Sequence, residues 1–153
     1  MGKNSQKTKI IREFSAGGVV FKKTKGEISW LLINPAETDS WQFPKGHIDG
    51  REHSSEAAVR EVYEEANVRA KAIEKIGTTQ YFFVLEGKRI FKTVIFFLMQ
   101  YLSGAKKKAD VEVKKAKFFL LEQALKKLTF KDDKKMLEKA ESILSRGIQE
   151  NLI

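Results

Sequence analysis

Three glutamates, Glu61, Glu64 and Glu65, fall at positions i, i+3 and i+4. On a helix those positions share one face, because a turn takes about 3.6 residues. Acids stacked this closely repel one another, and no lysine or arginine lies between them in the sequence to relieve it. An all-oxygen cluster of this kind suits hard cations, Mg²⁺ or Mn²⁺. Gly46, Glu52 and Arg60 precede the acids. Gly46 closes a Pro44-Lys45-Gly46 turn, whose backbone carbonyls can join a coordination shell. Ala57 shares the acidic face, where a small side chain leaves room for ions. The plain alternative is a solvated acidic stripe with Arg60 in a surface ion pair.

The charge distribution favours the cation reading. The chain of 153 residues carries a formal net charge of +9. Yet residues 49–65 hold six acids (Asp49, Glu52, Glu56, Glu61, Glu64, Glu65) against two arginines, a local balance of −4. Such an island repels a polyphosphate unless cations come between them. The lysines elsewhere read mainly as solvated surface, although a basic surface also attracts nucleic acid at low salt.

The elements that must position this cluster follow from hydrophobic patterning. At this length, with 42% apolar and 32% charged residues, one globular domain is expected over 10–153, after a flexible basic tail at 1–9. No cysteine is present, which excludes disulfides and thiolate metal sites and fits a cytoplasmic location. The basic start lacks an apolar signal core, and the run from Val94 to Leu102 is too short to span a membrane. Strands are expected over 14–21, 28–33, 72–83, 90–102 and 111–120. Gly17-Gly18 in the first marks a bulge or a close approach of another group. Residues 34–40 read as a loop that leads into Trp41–Gly46. A helix is expected over 54–66, with serines as N-cap candidates and Asn67 as a left-handed stop. Leu85-Glu86-Gly87-Lys88 reads as a hairpin turn, and amphipathic helices are expected over 121–128 and 132–145. The order implies an α/β fold with a mixed sheet and helices on its faces.

The stretch Gly46–x5–Glu52–x7–Arg60-Glu61-Val62-x-Glu64-Glu65-x-Asn67-Val68 resembles the Nudix box, the motif of hydrolases of nucleoside diphosphates linked to another moiety. Asn67 stands where the family usually has glycine, and Gly50-Arg51 where it often has glycine directly before the first glutamate. Ser15-Ala16-Gly17-Gly18-Val19-Val20-Phe21 resembles the family's first strand, and the likeness covers roughly residues 10 to 130. It implies an α/β/α sandwich and metal-assisted attack of water on a phosphoanhydride. Carried over, Glu61, Glu64 and Glu65 would bind Mg²⁺ or Mn²⁺ and serve catalysis, with the Lys45 or Gly46 carbonyl contributing. Glu52 and Arg60 would brace the loop against the helix. Glu112 occupies a region where many relatives place a further catalytic or metal-binding acid, and an exposed strand-edge acid is the equal alternative. Glu86 is a weaker candidate in a turn.

Trp41-Gln42-Phe43-Pro44-Lys45-Gly46-His47 resembles the entry to the box in diadenosine tetraphosphate hydrolases and in RNA 5′-pyrophosphohydrolases, with Lys-Gly-His nearer the first. Lys45 would meet a phosphate as a point charge. His47 reads as structural. Tyr81 and Phe83, with Phe82 beside them, are candidates for a base-stacking surface, and Lys106-Lys107-Lys108 for distal phosphates. The expected activity is asymmetric cleavage of diadenosine tetraphosphate to ATP and AMP by a monomer or homodimer. The alternatives are an RNA 5′ end, an oxidised nucleoside triphosphate or ADP-ribose as substrate, or a non-catalytic nucleotide-binding module.

Overall fold

The computed structural model describes residues 9–35, 39–104 and 115–151, with side chains to Gly147. In chain order the elements are β1 (Ile10–Thr24), β2 (Glu27–Asn34), β3 (Lys45–His47), α1 (Ser54–Ala66), β4 (Val68–Leu85), β5 (Lys88–Gly104), β6 (Lys115–Leu120), α2 (Leu121–Lys127) and α3 (Lys131–Asn151). The strands form one sheet in the order β4-β5-β1-β2-β6, with β3 attached to β1. β1 and β5 run parallel over twelve residue pairs, and the other pairings are antiparallel. The α/β architecture and mixed sheet read from the sequence are therefore present.

Alternation along single strands builds two cores. In β2, Trp30 and Leu32 enter one apolar layer while Leu31 and Ile33 enter the other. The first layer packs Trp30, Leu32, Phe43 and Phe96 against Ala124 of α2 and Leu137 and Ala140 of α3. The second packs Val20, Leu31, Phe97 and Met99 against Ala57, Ala58 and Val62 of α1. A sheet buried on both faces explains why its central strands read as continuous apolar runs.

Several expectations need correction. β1 is longer than the expected 14–21 and carries no bulge; its glycines are there for close approach. A Cβ on Gly18 would lie 2.5 Å from Met99 Sδ and 2.6 Å from Val62 Cγ2, and one on Gly17 would lie 2.8 Å from the Pro44 carbonyl. β4 begins at Val68, not residue 72, because register shifts at Arg69/Ala70, Ala72/Glu74 and Lys75/Gly77 break its period of two. Residues 45–47 form a strand where a Pro-Lys-Gly turn was expected, since they find partners on β1. Ala57 leaves no room for ions: it is fully buried in the second core. The tail to residue 8, residues 111–114 of the last expected strand, Lys106–Lys108 and Glu112 lie outside the described residues.

Candidate active site

β3 is a three-residue strand whose alternation divides two environments. It pairs with β1 through Ser15↔His47, Ala16↔Gly46 and Gly17↔Lys45. The Gly18 N–H donates to Pro44 O at 3.1 Å before it, and the Ile48 N–H to Phe14 O at 3.2 Å after it. On one side of β3, Gly46 lies directly beneath the Glu61 carboxylate: a Cβ at Gly46 would fall onto that group. The next side chain along, Lys45, lines a cavity on the other side.

The loop from Asp49 to His53 is knitted by backbone and carboxylate. Gly50 takes a left-handed φ of +47°. Glu52 N–H donates to Asp49 O at 2.9 Å, and Asp49 N–H donates to Glu52 Oε1 at 2.9 Å. α1 is capped at His53, not at a serine; the His53 N–H donates to Glu56 Oε1 at 2.9 Å. Asn67 ends the helix with φ 57° and ψ 39°, its N–H donating to Tyr63 O.

Arg60 ties loop and helix together. Its Nε donates to Glu52 Oε2 at 2.8 Å and its Nη2 to Glu52 Oε1 at 3.0 Å, a two-pronged pair. Nη2 also donates to His47 O at 2.8 Å and lies 3.3 Å from Asp49 Oδ2. Nη1 stands between Glu61 Oε1 at 2.9 Å and Glu64 Oε2 at 3.1 Å. The acids are thus not without an interleaved cation, as the spacing suggested: Arg60 reaches them from the preceding position.

Charge and burial set these groups apart. The Arg60 bond, followed by the Asp49 N–H, holds the Glu52 carboxyl below the usual carboxylate range. Arg60 is raised, first by Glu52. Glu61, only 9% exposed, is pushed up by burial; the Arg60 bond opposes this, while the charges of Glu65 and Glu64 add to it. Among the described residues, no three acidic or histidine side chains already close around a single point that would hold an ion. The donor set nevertheless fits a hard divalent cation. Glu61 is desolvated, faces two like charges and lies over a glycine backbone, and a cation would relieve both penalties on its ionised form.

The cavity beyond Lys45 has a volume of about 420 Å³, within the range of small-molecule sites. Its walls include Tyr81, Phe96 and Phe130, with Asp132 and Asp133 at the start of α3. Asp133 is 8% exposed, and burial raises its carboxyl to about 6; the charge of Lys45 opposes the rise and that of Asp132 adds to it. Burial, and then the charges of Asp133 and Glu13, raise the Tyr81 phenol.

The expected residues therefore fall into groups. Gly46, Glu52, Arg60, Glu61, Glu64 and Glu65 lie together where β3, the loop and α1 meet. Lys45 and Tyr81 share the cavity, whereas Phe83 does not line it and packs its ring 5.9 Å from that of Tyr81. Glu86 is an exposed residue of the β4–β5 turn, with φ 51°. Asp133 was missed because an acid in a helix's first turn reads as a partner of the helix dipole. Only tertiary burial distinguishes it from Asp132.

The model of the NUDIX domain family matches residues 12–140. The chain belongs to the NUDIX family. It is similar to MutT4 of Mycobacterium tuberculosis, named as a candidate mutator protein, with 29% identity over 150 residues, covering 94% of this chain and 60% of that protein. It is also similar to an asymmetrical bis(5′-nucleosyl)-tetraphosphatase of Caenorhabditis elegans, 42% identical over 55 residues, covering 35% of this chain and 40% of that protein. These matches thus span less than two thirds of either relative's length. The crystal structure of a C. elegans Ap4A hydrolase binary complex superposes with a TM-score of 0.70 at 28% identity, covering 87% of this chain and 98% of that one. Among the described residues, no helix is long and apolar enough to cross a membrane.

Proposed function

We propose that this protein is a divalent-metal-dependent hydrolase of phosphoanhydride bonds in nucleoside polyphosphates, and that it cleaves dinucleoside tetraphosphates asymmetrically to a triphosphate and a monophosphate. One observation carries the reading: Glu61 is buried over Gly46 while Glu64 and Glu65 share its helix face. Glu61, Glu64 and Glu65, with the Lys45 or Gly46 carbonyl, are the groups that would hold Mg²⁺ or Mn²⁺. Magnesium held there would supply charge to the phosphate oxygens and would lower the pKa of a water.

The chain's own residues do the rest. Glu52 and Asp49 hold Arg60, so the loop carrying Gly46 keeps its place against α1. Arg60 Nη1 fixes Glu61 and Glu64 in the same act, and a cation would compete with it for their oxygens. Lys45, in the cavity lining, offers an ammonium for a phosphate. Tyr81 presents an aromatic surface there, for which a base-stacking gain of about 1–3 kcal/mol is typical. The tetraphosphatase and Ap4A hydrolase relatives, and the entry sequence Trp41–His47, support the dinucleotide choice.

The test is a substrate panel with Mg²⁺, followed by product chromatography. It should contain diadenosine tetraphosphate, triphosphorylated RNA, an oxidised nucleoside triphosphate and ADP-ribose. Triphosphate and monophosphate in equal amounts from the first are expected. Turnover of ADP-ribose or RNA with none of the dinucleotide would move the assignment to that substrate. Cleavage of none of the four would overturn it.

A further inference from the structure

Half of one sheet face is left open. Strand alternation places Ile10, Arg12 and Phe14 on the same face of β1 as Ala16 and Val20, which pack under α1. Register carries that face across to Arg89 and Phe91 of β5 and on to Phe82 and Val84 of β4. At this end the packing under α1 has run out: Phe14 is 52%, Phe82 57% and Val84 68% exposed. The Phe82 and Phe91 rings lie 4.6 Å apart, tilted by 35°. A guanidinium lies over each, Arg12 at 5.4 Å from the Phe91 centroid and Arg89 at 5.9 Å from that of Phe82. Cross-strand pairing accounts for the contact between the rings, but not for leaving Phe82 open to solvent. Single apolar residues on a surface are ordinary, whereas a contiguous run of them marks a contact surface.

We propose that this open end of the sheet is a docking surface for single-stranded RNA. Unpaired bases present flat π faces, and aromatic rings and guanidinium planes stack on them with little regard to sequence. The same arginines meet the phosphates between those bases. No acid shares this face among residues 10–14, 80–84 and 89–93, and the net charge of +9 adds a long-range attraction for a polyanion. A second copy of the chain fits less well, because two-fold pairing of this surface with itself sets arginine against arginine. Gln80, exposed on the same face, donates from Nε2 to Thr93 Oγ1 at 3.4 Å. Its amide oxygen is an acceptor suited to the ribose 2′-hydroxyl, the group that separates RNA from DNA. From Ile10 to Phe14 the strand runs about 13 Å and the three strands are about 10 Å across, room for two or three bases. The surface is distinct from the cavity: Lys45 and Tyr81, which line the cavity, lie on the opposite face.

The proposal goes beyond the hydrolase reading and does not depend on it, so binding is measured with EDTA present and no 5′ phosphate on the probe. Fluorescence anisotropy on the full chain follows a short unstructured RNA labelled at its 3′ end. Saturable binding is expected, roughly tenfold weaker in Phe82→Ala and restored in Phe82→Tyr. Arg12→Ala combined with Arg89→Ala should weaken binding and flatten the slope of log affinity against log salt by roughly 1.4. Lys126→Ala combined with Lys127→Ala removes the same charge from α2 and should leave that slope unchanged. Thermal melting shows which variants are folded, and the arginine pair carries the test if Phe82→Ala is not. Absence of binding overturns the proposal, as does full affinity in a folded Phe82→Ala. Equal losses in the arginine and lysine pairs also overturn it, since they would mark net charge alone. DNA of the same sequence bound as tightly as the RNA, or vesicles of phosphatidylserine and phosphatidylcholine bound in its place, overturns the choice of partner. A dimer in sedimentation that Phe82→Ala dissociates, with no RNA bound, assigns the face to a second copy instead.

Discussion

The two sides of β3 treat their carboxylates in different ways. On the α1 side, Glu52 is matched by a two-pronged arginine and Glu61 shares that arginine's third nitrogen. On the cavity side, Asp133 lines an open cavity and faces a lysine's charge. One region is braced internally and the other is left open toward whatever fills it.

The contrast can be broken from either side. The largest effect is expected on the braced side, where Glu65→Gln should lower kcat roughly a thousandfold or more, because several kcal/mol of transition-state charge stabilisation would depend on the proposed cation ligands. Circular dichroism should show the fold unchanged. Nucleotide binding unaffected by the change, with no turnover to lose, would instead mark a binding module.

Next comes stability, and here the two sides respond to pH with opposite signs. The native carboxyl of Asp133 titrates near 6 against an ordinary 3.8. The folded state therefore holds an extra proton between those values, and the penalty present above pH 6 is relieved as the pH falls toward 3.8. Asp133→Asn should accordingly raise stability at pH 8 by up to about 3 kcal/mol, with the gain shrinking below pH 6. Glu52 behaves in reverse: its carboxyl is lowered from 4.5, so its contribution is intact above that value and is lost as acid takes the pH through the lowered value. Urea titrations across pH 3–8 would show both trends.

Arg60→Lys should cost about 1–3 kcal/mol, since a point charge cannot serve Glu52, Glu61, Glu64 and the His47 carbonyl together. Thermal melts that match the unaltered protein would show the brace to be dispensable. The smallest effect belongs to Tyr81→Ala, for which KM should rise roughly tenfold with little change in kcat, as expected for the loss of one stacking surface. A fall in kcat alone would place the ring elsewhere in the reaction.

How far these regions could be read from sequence follows the same division. The braced side is local: Gly46 through Val68 is one loop and one helix, so spacing alone brings its groups together. α1 was legible to the residue, from Ser54 to the left-handed Asn67. What escaped there was Ala57, because an angular position on a helix does not tell whether another layer covers it. The cavity side joins residues from β3, β4, β5 and α3, which are up to about ninety positions apart, and no periodicity encodes their meeting. Lys45 and Tyr81 were found as separate candidates, and their convergence with Asp133 was not. β4 was shortened in the reading for a related reason: its bulges interrupt the alternation by which a strand is recognised.

β1 borders β2, β3 and β5 at once. Because β3, among the described residues, is joined to the sheet only through it, the candidate site is anchored to the strand with most neighbours. Amide hydrogens near Ala16 and Gly17 should then exchange with deuterium only when the whole chain unfolds. Any breathing that admits or releases a ligand must come from the periphery, where α3 and the β4–β5 hairpin flank a stationary middle.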